Sequence, residues 1–299
     1  MYGVEKLFIP ETLEEALEIL ANDPTVVPIA GGTDILVRMR SQKTQKARLL
    51  SLQKLKELTG IRMRFDGSIE IGAASTFTDL ATSPLIIERL PLLKTAALSM
   101  GGPQIQHVST IGGNVCNGAV SADSAPPLFA LDAELELKSL SAERIVPISD
   151  FYQGPGKVSR RQDELLVRLI IPPHADERWF SRYLKFSTRN AMDIATLGCA
   201  VTCQLNENGM IASAAIALGV AGPVPIRCNK AEEFLAGSFP SSDVLRQAAE
   251  IALTETRARS SWRASKEFRD QLIKELIIEA FEEAAASAAT VERNNHGNR

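Results

Sequence analysis

The chain has 299 residues, of which 45% are hydrophobic, and a formal net charge of −3. This length predicts two or three folding units with a sizeable core, while the slightly negative charge argues against a nucleic-acid-binding protein, which usually has a basic face. No apolar run is long enough to span a bilayer, and the first residues lack the charged-then-apolar pattern of a signal peptide.

The first predicted unit covers residues 1–57 and opens with a strand, a helix and a second strand. Residues 5–9 are predicted to form the first strand, and residues 12–15 have the pattern of a capping box at a helix start. Residues 26–29 follow as a short apolar strand, and a glycine-containing turn leads from it into another helix. This opening resembles a β-α-β unit.

A basic stretch follows that turn at residues 38–48. We interpret it as a solvated helix face and loop, with anion or partner binding as the alternative.

The second predicted unit covers residues 58–176. Its strands are predicted at residues 68–73, 134–137 and 165–171, and a helix is predicted at residues 91–98. Asp123 stands before a Ser-Ala-Pro-Pro sequence and is predicted to cap a helix there.

The third predicted unit covers residues 177–288 and combines an antiparallel sheet with helices. The Asn-Glu-Asn-Gly sequence at residues 206–209 predicts a hairpin between two strands. Helical patterns follow, and Trp262 and Phe268 are expected to anchor the last helix to its own domain. Residues 289–299 are polar and are predicted to be a disordered tail.

The four cysteines, Cys116, Cys199, Cys203 and Cys228, are too sparse for a disulfide framework. They indicate a reducing cytoplasm. Cys199 and Cys203 lie in an apolar, strand-like segment, where both thiols are expected to point to one face. No second cysteine pair or nearby histidine completes a metal or iron–sulfur site, so we interpret these two cysteines as buried and inert.

The sequence Ala30-Gly31-Gly32-Thr33-Asp34 connects a predicted strand to a predicted helix. Such a turn exposes backbone N–H groups that can bind an anion, and glycine lets a phosphate approach the backbone. The spacing fits neither a P-loop nor the dinucleotide fingerprint. A plain turn is the alternative.

A second glycine pair occurs in Thr110-Ile111-Gly112-Gly113-Asn114 of the neighbouring unit. Two donor-rich loops on adjacent units could hold a diphosphate from both sides. A tight turn before a strand is the alternative for this loop.

These two motifs, together with Ser121-Ala122-Asp123, resemble the FAD-binding subunits of the molybdenum hydroxylases. Stretches at residues 117–125, 154–159, 191–195 and 260–269 resemble the bacterial xanthine dehydrogenase branch of that family, and the similarity covers nearly the whole chain.

The resemblance implies an α+β fold. Residues 1–176 would form a two-subdomain FAD-binding domain of the vanillyl-alcohol-oxidase/p-cresol-methylhydroxylase type, and residues 177–288 a CO-dehydrogenase-flavoprotein-like domain. The implied cofactor is FAD, and no metal site is implied. The implied cofactor-binding residues are Pro28, Ile29, Ala30, Gly31, Gly32, Thr33, Asp34, Ile35, Met100, Thr110, Ile111, Gly112, Gly113, Asn114, Asp123, Leu166 and Lys185.

Four of these residues lie outside the glycine motifs. By resemblance, Met100 and Leu166 would lie beside the flavin, Asp123 would contact the cofactor, and the Lys185 cation would stabilise the reduced ring. The alternatives are a helix cap for Asp123, a core position for Leu166 and a solvated strand edge for Lys185.

The resemblance also implies a role in a heterotrimer of purine metabolism. A large molybdopterin subunit would oxidise the substrate, and a small iron–sulfur subunit would pass the electrons to FAD. The reduced FAD of this chain would then pass them to NAD+. The substrate could instead be an aldehyde, another N-heterocycle or carbon monoxide. Alternatively, the chain is a non-catalytic assembly subunit that has lost FAD. In each case the exposed face of the C-terminal domain is expected to contact partner subunits.

Overall fold

The computed structural model describes residues 3–42, 46–174 and 179–296, with the side chains of the last helix described as far as Ala284. Three hydrophobic cores divide this part of the chain into an N-terminal subdomain, a second subdomain and a C-terminal domain. The predicted boundary between residues 176 and 177 lies outside the described residues. None of the described helices has the length and hydrophobicity that crossing a membrane requires.

The N-terminal subdomain is a three-stranded parallel sheet with two crossover helices, as the β-α-β pattern predicts. Its strands stand in the order β1-β3-β2. The elements are β1 (Val4–Phe8), α1 (Leu13–Asn22), β2 (Val26–Ile29), α2 (Ile35–Ser41) and β3 (Ala47–Ser51).

The start of α1 has the predicted cap but only half of the predicted capping box. The Thr12 hydroxyl accepts a hydrogen bond from the Glu15 N–H at 3.2 Å. The Glu15 carboxylate instead accepts the N–H of Glu11 at 2.8 Å, one residue before the cap. One face of α1 then buries Leu17 and Leu20 in the subdomain core.

The second subdomain is built on a five-stranded antiparallel sheet with strand order β4-β5-β10-β6-β7. Its strands are β4 (Ile61–Met63), β5 (Ile69–Gly72), β6 (Glu134–Lys138), β7 (Glu143–Pro147), β8 (Tyr152–Gly154), β9 (Lys157–Val158) and β10 (Leu165–Ile171). Its helices are α3 (Phe77–Thr82), α4 (Pro84–Arg89), α5 (Pro91–Ser99), α6 (Pro103–Gln106), α7 (Ile111–Asn117), α8 (Ala125–Ala130) and α9 (Ile148–Phe151).

Strand β10 joins the first two cores because both of its faces are buried. Leu165 and Val167 belong to the core of the N-terminal subdomain. Leu166 and Leu169 belong to the core of the second subdomain. Burial on both faces explains why this strand is almost continuously apolar in sequence.

The C-terminal domain packs three helices on a four-stranded antiparallel sheet of order β11-β12-β13-β14. The elements are β11 (Trp179–Phe186), β12 (Leu197–Leu205), β13 (Ile211–Gly219), β14 (Ile226–Arg227), α10 (Asn229–Leu235), α11 (Ser242–Glu255) and α12 (Lys266–His296). The predicted hairpin joins β12 to β13, with Gly209 at a φ of 77°. The fold is therefore α+β, as expected.

Cys199 and Cys203 both lie in the C-terminal core, which confirms that their thiols point to one face of β12. Burial raises the pKa of the Cys203 thiol to about 12, so this thiol stays protonated and unreactive at neutral pH.

The C-terminal region departs from two sequence expectations. Trp262 is 84% exposed, so the expectation that it anchors the last helix is wrong. Phe268 is 46% exposed but packs edge to face against Phe186 of β11, so it does contact its own domain as expected. Helix α12 continues to His296 and covers residues 289–296 of the predicted disordered tail. Residues 297–299 lie outside the described residues.

Candidate functional site

A cavity of about 400 Å³ lies where the N-terminal and second subdomains meet. It is bounded by the segment between β2 and α2 on one side and by α7 on the other. Its lining comprises Val27, Pro28, Ile29, Ala30, Gly31, Gly32, Thr33, Asp34, Ile35, Arg38, Met100, Ile105, Ser109, Thr110, Gly113, Asn114, Cys116, Asn117 and Arg160. All eight residues that the sequence assigns to the first glycine segment, residues 28–35, are therefore at the cavity.

The two glycines of the first segment are required for different reasons. A Cβ atom on Gly31 would lie 1.8 Å from the Val108 carbonyl oxygen, so only glycine allows this approach between the two subdomains. Gly32 has a φ of 73°, a conformation that side-chain-bearing residues rarely adopt. The first glycine sets subdomain packing, and the second sets the shape of the turn.

The first segment leaves several backbone donors without a partner. The amides of residues 31–34 donate no hydrogen bond to other groups within residues 3–42, 46–174 and 179–296. The Thr33 hydroxyl, which is half-buried, is likewise without a partner in this part of the chain. Unpaired amides at a cavity are suited to bind the oxygen atoms of an anion such as a diphosphate.

The second glycine segment is the first turn of α7, which corrects the expectation of a loop. Thr110 caps this helix and accepts the Gly113 N–H on its hydroxyl at 3.2 Å. The Ile111 N–H donates to the Ser75 carbonyl at 3.0 Å, and the Gly112 N–H donates to the Ala73 carbonyl at 2.8 Å. These three amides are already paired, so this segment is not the second source of backbone donors that the sequence suggested.

The residues of this turn divide between the cavity and the core. Ile111 and Gly112 are buried and do not line the cavity. A Cβ atom on Gly112 would lie 2.6 Å from both the Cβ and the carbonyl oxygen of Ala73, whereas one on Gly113 would meet only the Thr110 hydroxyl, at 2.9 Å. Gly112 therefore serves packing, and Gly113 keeps the cavity open.

Asn114 adds a polar side chain to the cavity wall. Its Oδ1 atom accepts a hydrogen bond from the Ser124 hydroxyl at 2.6 Å. This contact fixes the amide orientation, while Nδ2 makes no hydrogen bond to the described residues. The side-chain N–H₂ group is therefore available as a donor to a ligand.

Two arginines that are not among the expected cofactor-binding residues bring positive charge to the cavity. Arg38 donates from Nη2 to Asp34 Oδ2 and to Asn117 Oδ1, each at 2.6 Å, and so connects α2 to α7. Arg160 lies after β9 and donates from Nη1 to the Glu164 carbonyl at 2.6 Å. Because Asp34 is the only acidic residue in the lining, the cavity carries a net positive charge.

Arg38 belongs to the basic stretch at residues 38–48; it is exposed, as the solvated interpretation expects, and it also lines the cavity, which is compatible with the anion-binding alternative. Arg40 is exposed, as the solvated interpretation expects. Lys43 of the same stretch lies outside the described residues. For Arg160, the only sequence signal was its position next to the stretch at residues 154–159.

A buried carboxylate fixes the backbone that carries Arg160. Glu164 accepts two hydrogen bonds from the Arg144 guanidinium, at 2.7 and 2.9 Å, and one from the Arg161 N–H at 2.6 Å. Burial raises the pKa of the Glu164 carboxyl, but the hydrogen bonds from Arg144 and Arg161 outweigh it and hold this pKa below its usual value.

Of the four expected residues outside the glycine motifs, only Met100 lines the cavity. Asp123 is buried and accepts hydrogen bonds from the Tyr183 hydroxyl at 3.0 Å and from Lys185 Nζ at 2.8 Å. The expected helix cap is wrong, because Ser124 occupies the cap position of α8. Burial raises the pKa of the Asp123 carboxyl, and Lys185 opposes that shift.

Lys185 is not a solvated residue at a strand edge, because its ammonium group has three protein partners. Besides Asp123, it donates to the Ser99 carbonyl and to the Asp193 carbonyl, each at 2.9 Å. Ser99 precedes Met100, so Lys185 supports the wall of the cavity from behind. Leu166 is 5% exposed and packs in the core of the second subdomain.

The site contains the groups that bind an anion but not those of a hydrolase or metal centre. No group of three or more His, Cys, Asp or Glu side chains is arranged for a metal ion in the part of the chain that the structure describes. The only nucleophilic sulfur in the lining is Cys116, and burial raises the pKa of its thiol to about 11. The unpaired amides and the arginines suit this cavity to bind an anionic ligand.

Two family descriptions match the chain over its two domains. "FAD binding domain in molybdopterin dehydrogenase" matches residues 3–174, and "CO dehydrogenase flavoprotein C-terminal domain" matches residues 182–284.

Individual proteins match over nearly the full length. The chain is 44% identical to the xanthine dehydrogenase FAD-binding subunit of Escherichia coli O157:H7, over 93% of this chain and 94% of that one. It is 31% identical to the nicotinate dehydrogenase FAD-subunit of Eubacterium barkeri, over 93% and 96%. A chain of carbon monoxide dehydrogenase from Hydrogenophaga pseudoflava superposes with a TM-score of 0.90 at 26% identity, over 96% and 99%.

Proposed function

The chain belongs to the family of FAD-binding subunits of the molybdenum hydroxylases, and we propose that it is the electron-transfer flavoprotein of a xanthine dehydrogenase-like complex. Membership makes it a FAD-binding subunit of an oxidoreductase. The proposal adds its electron donor and acceptor, its partner chains and the residues that bind FAD.

The observation that carries the site assignment is the set of unpaired amides at residues 31–34 in a positively charged cavity. A FAD diphosphate carries negative charge on oxygen atoms that accept hydrogen bonds. Backbone amides supply hydrogen-bond donors to these oxygen atoms, and two guanidinium groups supply positive charge. The residues present therefore fit the group.

We assign the roles of the cavity residues as follows. The amides of residues 31–34 bind the diphosphate, and Arg38 and Arg160 neutralise its charge. Gly113 leaves space for it, and the Asn114 side-chain N–H₂ group donates to it. The bound flavin supplies two-electron redox chemistry, which needs no nucleophile from the protein.

The remaining sequence assignments stay part of the proposal. Met100 lines the cavity and would contact the flavin directly. Asp123 and Lys185 would act as positioning residues, because their ion pair holds the Ser99 carbonyl next to Met100. Leu166 would support the same wall from the core. Ile111 and Gly112 would hold α7 against Ala73 rather than contact the phosphates.

The partner chains and the acceptor are inferred from the relatives. A large molybdopterin subunit and a small iron–sulfur subunit would form a heterotrimer with this chain, and NAD+ would receive the electrons in the cytoplasm. Xanthine is the favoured substrate, with a role in purine metabolism, because the xanthine dehydrogenase relative has the higher identity. Nicotinate, another N-heterocycle, is the second candidate because its relative is 31% identical.

The proposal is tested on the complex isolated through an affinity tag on this chain. We expect a yellow protein that releases about one FAD per chain on heating, together with iron and molybdenum from the co-purified subunits. We also expect it to reduce NAD+ when xanthine is added, and not when nicotinate, an aldehyde or carbon monoxide replaces it. A colourless protein that takes up no added FAD contradicts the flavoprotein role. NAD+ reduction with another of these substrates instead would overturn the xanthine assignment alone.

A further inference from the structure

A surface of the C-terminal domain combines exposed aromatic rings with arginines and takes no part in the cavity. We call it the arginine–tryptophan surface and define it by Phe186, Arg257, Arg259, Trp262, Arg263 and Phe268. The Trp262 side chain is 84% exposed, and Phe186 and Phe268 are exposed as well. Exposed aromatic side chains next to one another are uncommon on a protein surface that contacts only water.

The rings of this surface are held in defined positions. The Arg263 guanidinium lies over the Trp262 ring, 4.0 Å from its centre. The Phe186 and Phe268 rings meet edge to face with 5.6 Å between their centres. A pre-ordered aromatic surface loses little side-chain entropy when a partner binds.

The buried guanidinium of Arg269 organises the backbone beneath the surface. Arg269 is 3% exposed. Its Nε atom donates to the Thr196 carbonyl at 3.2 Å, its Nη2 atom donates to the Ser261 hydroxyl at 2.9 Å, and its Nη1 atom donates to the Arg259 carbonyl. It thereby joins the loop after β11 to the segment that carries Arg259 and Trp262.

The positive charge of this surface has no carboxylate partner in the part of the chain that the structure describes. Residues 257–270 contain five basic and two acidic residues, although the whole chain has a net charge of −3. No carboxylate forms an ion pair with Arg257, Arg259, Arg263 or Arg269 within the described residues, and Arg259 and Arg263 repel the Arg269 charge. By contrast, Arg144 and Arg168 of the second subdomain are both paired with glutamates.

We infer that the arginine–tryptophan surface docks another subunit of the complex, one that presents carboxylates around an apolar depression. This inference rests on the proposed function, because it takes that complex as given. Tryptophan and arginine are the residues that most often dominate binding energy at protein interfaces. Carboxylates from a partner would supply the countercharge that the described residues do not provide.

A protein partner fits this surface better than a nucleic acid does. The net charge of −3 opposes approach to a polyanion, whereas a local basic surface can bind a local acidic one. The surface is also connected to the neighbourhood of the cavity through the loop that follows Phe186. In this loop the Met192 N–H donates to the Gly101 carbonyl at 3.0 Å, and Gly101 follows Met100 of the cavity lining.

The test compares matched double variants of this chain in the intact complex. Trp262→Ala with Arg263→Glu alters the surface, and Phe239→Ala with Arg246→Glu alters an exposed aromatic and an exposed arginine elsewhere in the same domain. Each tagged variant is isolated from the cells that make the complex, and iron and molybdenum are measured relative to FAD.

We expect the surface variant to keep its FAD and to bind the partner subunits at least about 30-fold more weakly, so that iron and molybdenum are lost. The control variant should keep all three, and Trp262→Phe should retain assembly because an aromatic ring remains. A surface variant with wild-type iron and molybdenum overturns the inference, as does equal loss from the control. Wild-type protein without FAD or metals would instead contradict the proposed function.

Discussion

The two glycine pairs have similar sequences but different surroundings. At Gly31-Gly32, the amides of residues 31–34 have no partner among the described residues and lie at a cavity. Around Gly112-Gly113, the amides are already bonded to Ala73, Ser75 and Thr110. The first pair therefore offers donors to a ligand, while the second builds the helix wall opposite them.

Within each pair, only the first glycine is required for close packing, although Gly31 also lines the cavity. Gly31 allows the Val108 carbonyl to approach, and Gly112 allows Ala73 to approach. Gly32 and Gly113 both line the cavity. A short Gly-Gly sequence thus meets two requirements at once: close contact between elements on one side and space for a ligand on the other.

The strongest test of this division is to add a methyl group to the packing glycines. We expect Gly31→Ala and Gly112→Ala each to destabilise the fold by about 3 kcal/mol, because the new Cβ overlaps backbone atoms that cannot move independently. The free energy of unfolding is measured by urea titration. Gly154→Ala is the control, since its Cβ would meet nothing within 4 Å. Equal stabilities of the three variants would break the comparison.

Valine at the cavity glycines should affect ligand binding more than folding. We expect Gly113→Val and Gly32→Val to lower FAD affinity about 100-fold, because the branched side chain occupies space beside the unpaired donors. FAD retention is measured after gel filtration by flavin absorbance.

The control for backbone strain at Gly32 is Gly237→Val. Gly237 also has a positive φ, 78°, but lies away from the cavity with no atom near its Cβ. Gly32→Val should cost at least as much stability as Gly237→Val, because its Cβ would also lie 3.0 Å from Leu36 Cδ1, and only Gly32→Val should lose FAD. Unchanged FAD binding in both cavity variants contradicts the placement of the diphosphate.

The sequence predicts elements well where the pattern is local. The parallel opening of the first subdomain and the hairpin with Gly209 follow from alternating apolar residues and turn chemistry. The anion-binding hypothesis for Ala30-Gly31-Gly32-Thr33-Asp34 follows from a strand, a glycine pair and a helix in succession, whereas the wider range of residues 28–35 follows from the family resemblance. These signals lie within a few residues of one another, so one sequence suffices to see them.

The sequence fails where contacts are long-range. The amides of Ile111 and Gly112 are paired with residues about 40 positions earlier, which no local pattern reveals. Arg160 reaches the cavity from a loop more than 120 residues after Gly32. Tryptophan is a large apolar residue, so the sequence predicts that Trp262 is buried. The structure shows that its ring is exposed, next to the segment that Arg269 holds in place.

The smallest predicted effect concerns the support of Arg160, which lines the cavity. The pKa of the Glu164 carboxyl is below its usual value of 4.5 in the folded chain, so the unfolded chain binds more protons in acid. The stabilisation from Glu164 is therefore complete above pH 4.5 and is lost as pH falls through the folded-state pKa.

Glu164→Gln removes the charge that Arg144 and the Arg161 N–H bind, and it should cost about 1 kcal/mol at pH 7. Its unfolding free energy should also fall less steeply than that of the wild type below pH 4.5. If the unfolding free energy of Glu164→Gln falls below pH 4.5 as steeply as that of the wild type, Glu164 does not contribute to the acid dependence of stability. An unchanged FAD affinity would show that Arg160 does not need the support of Glu164.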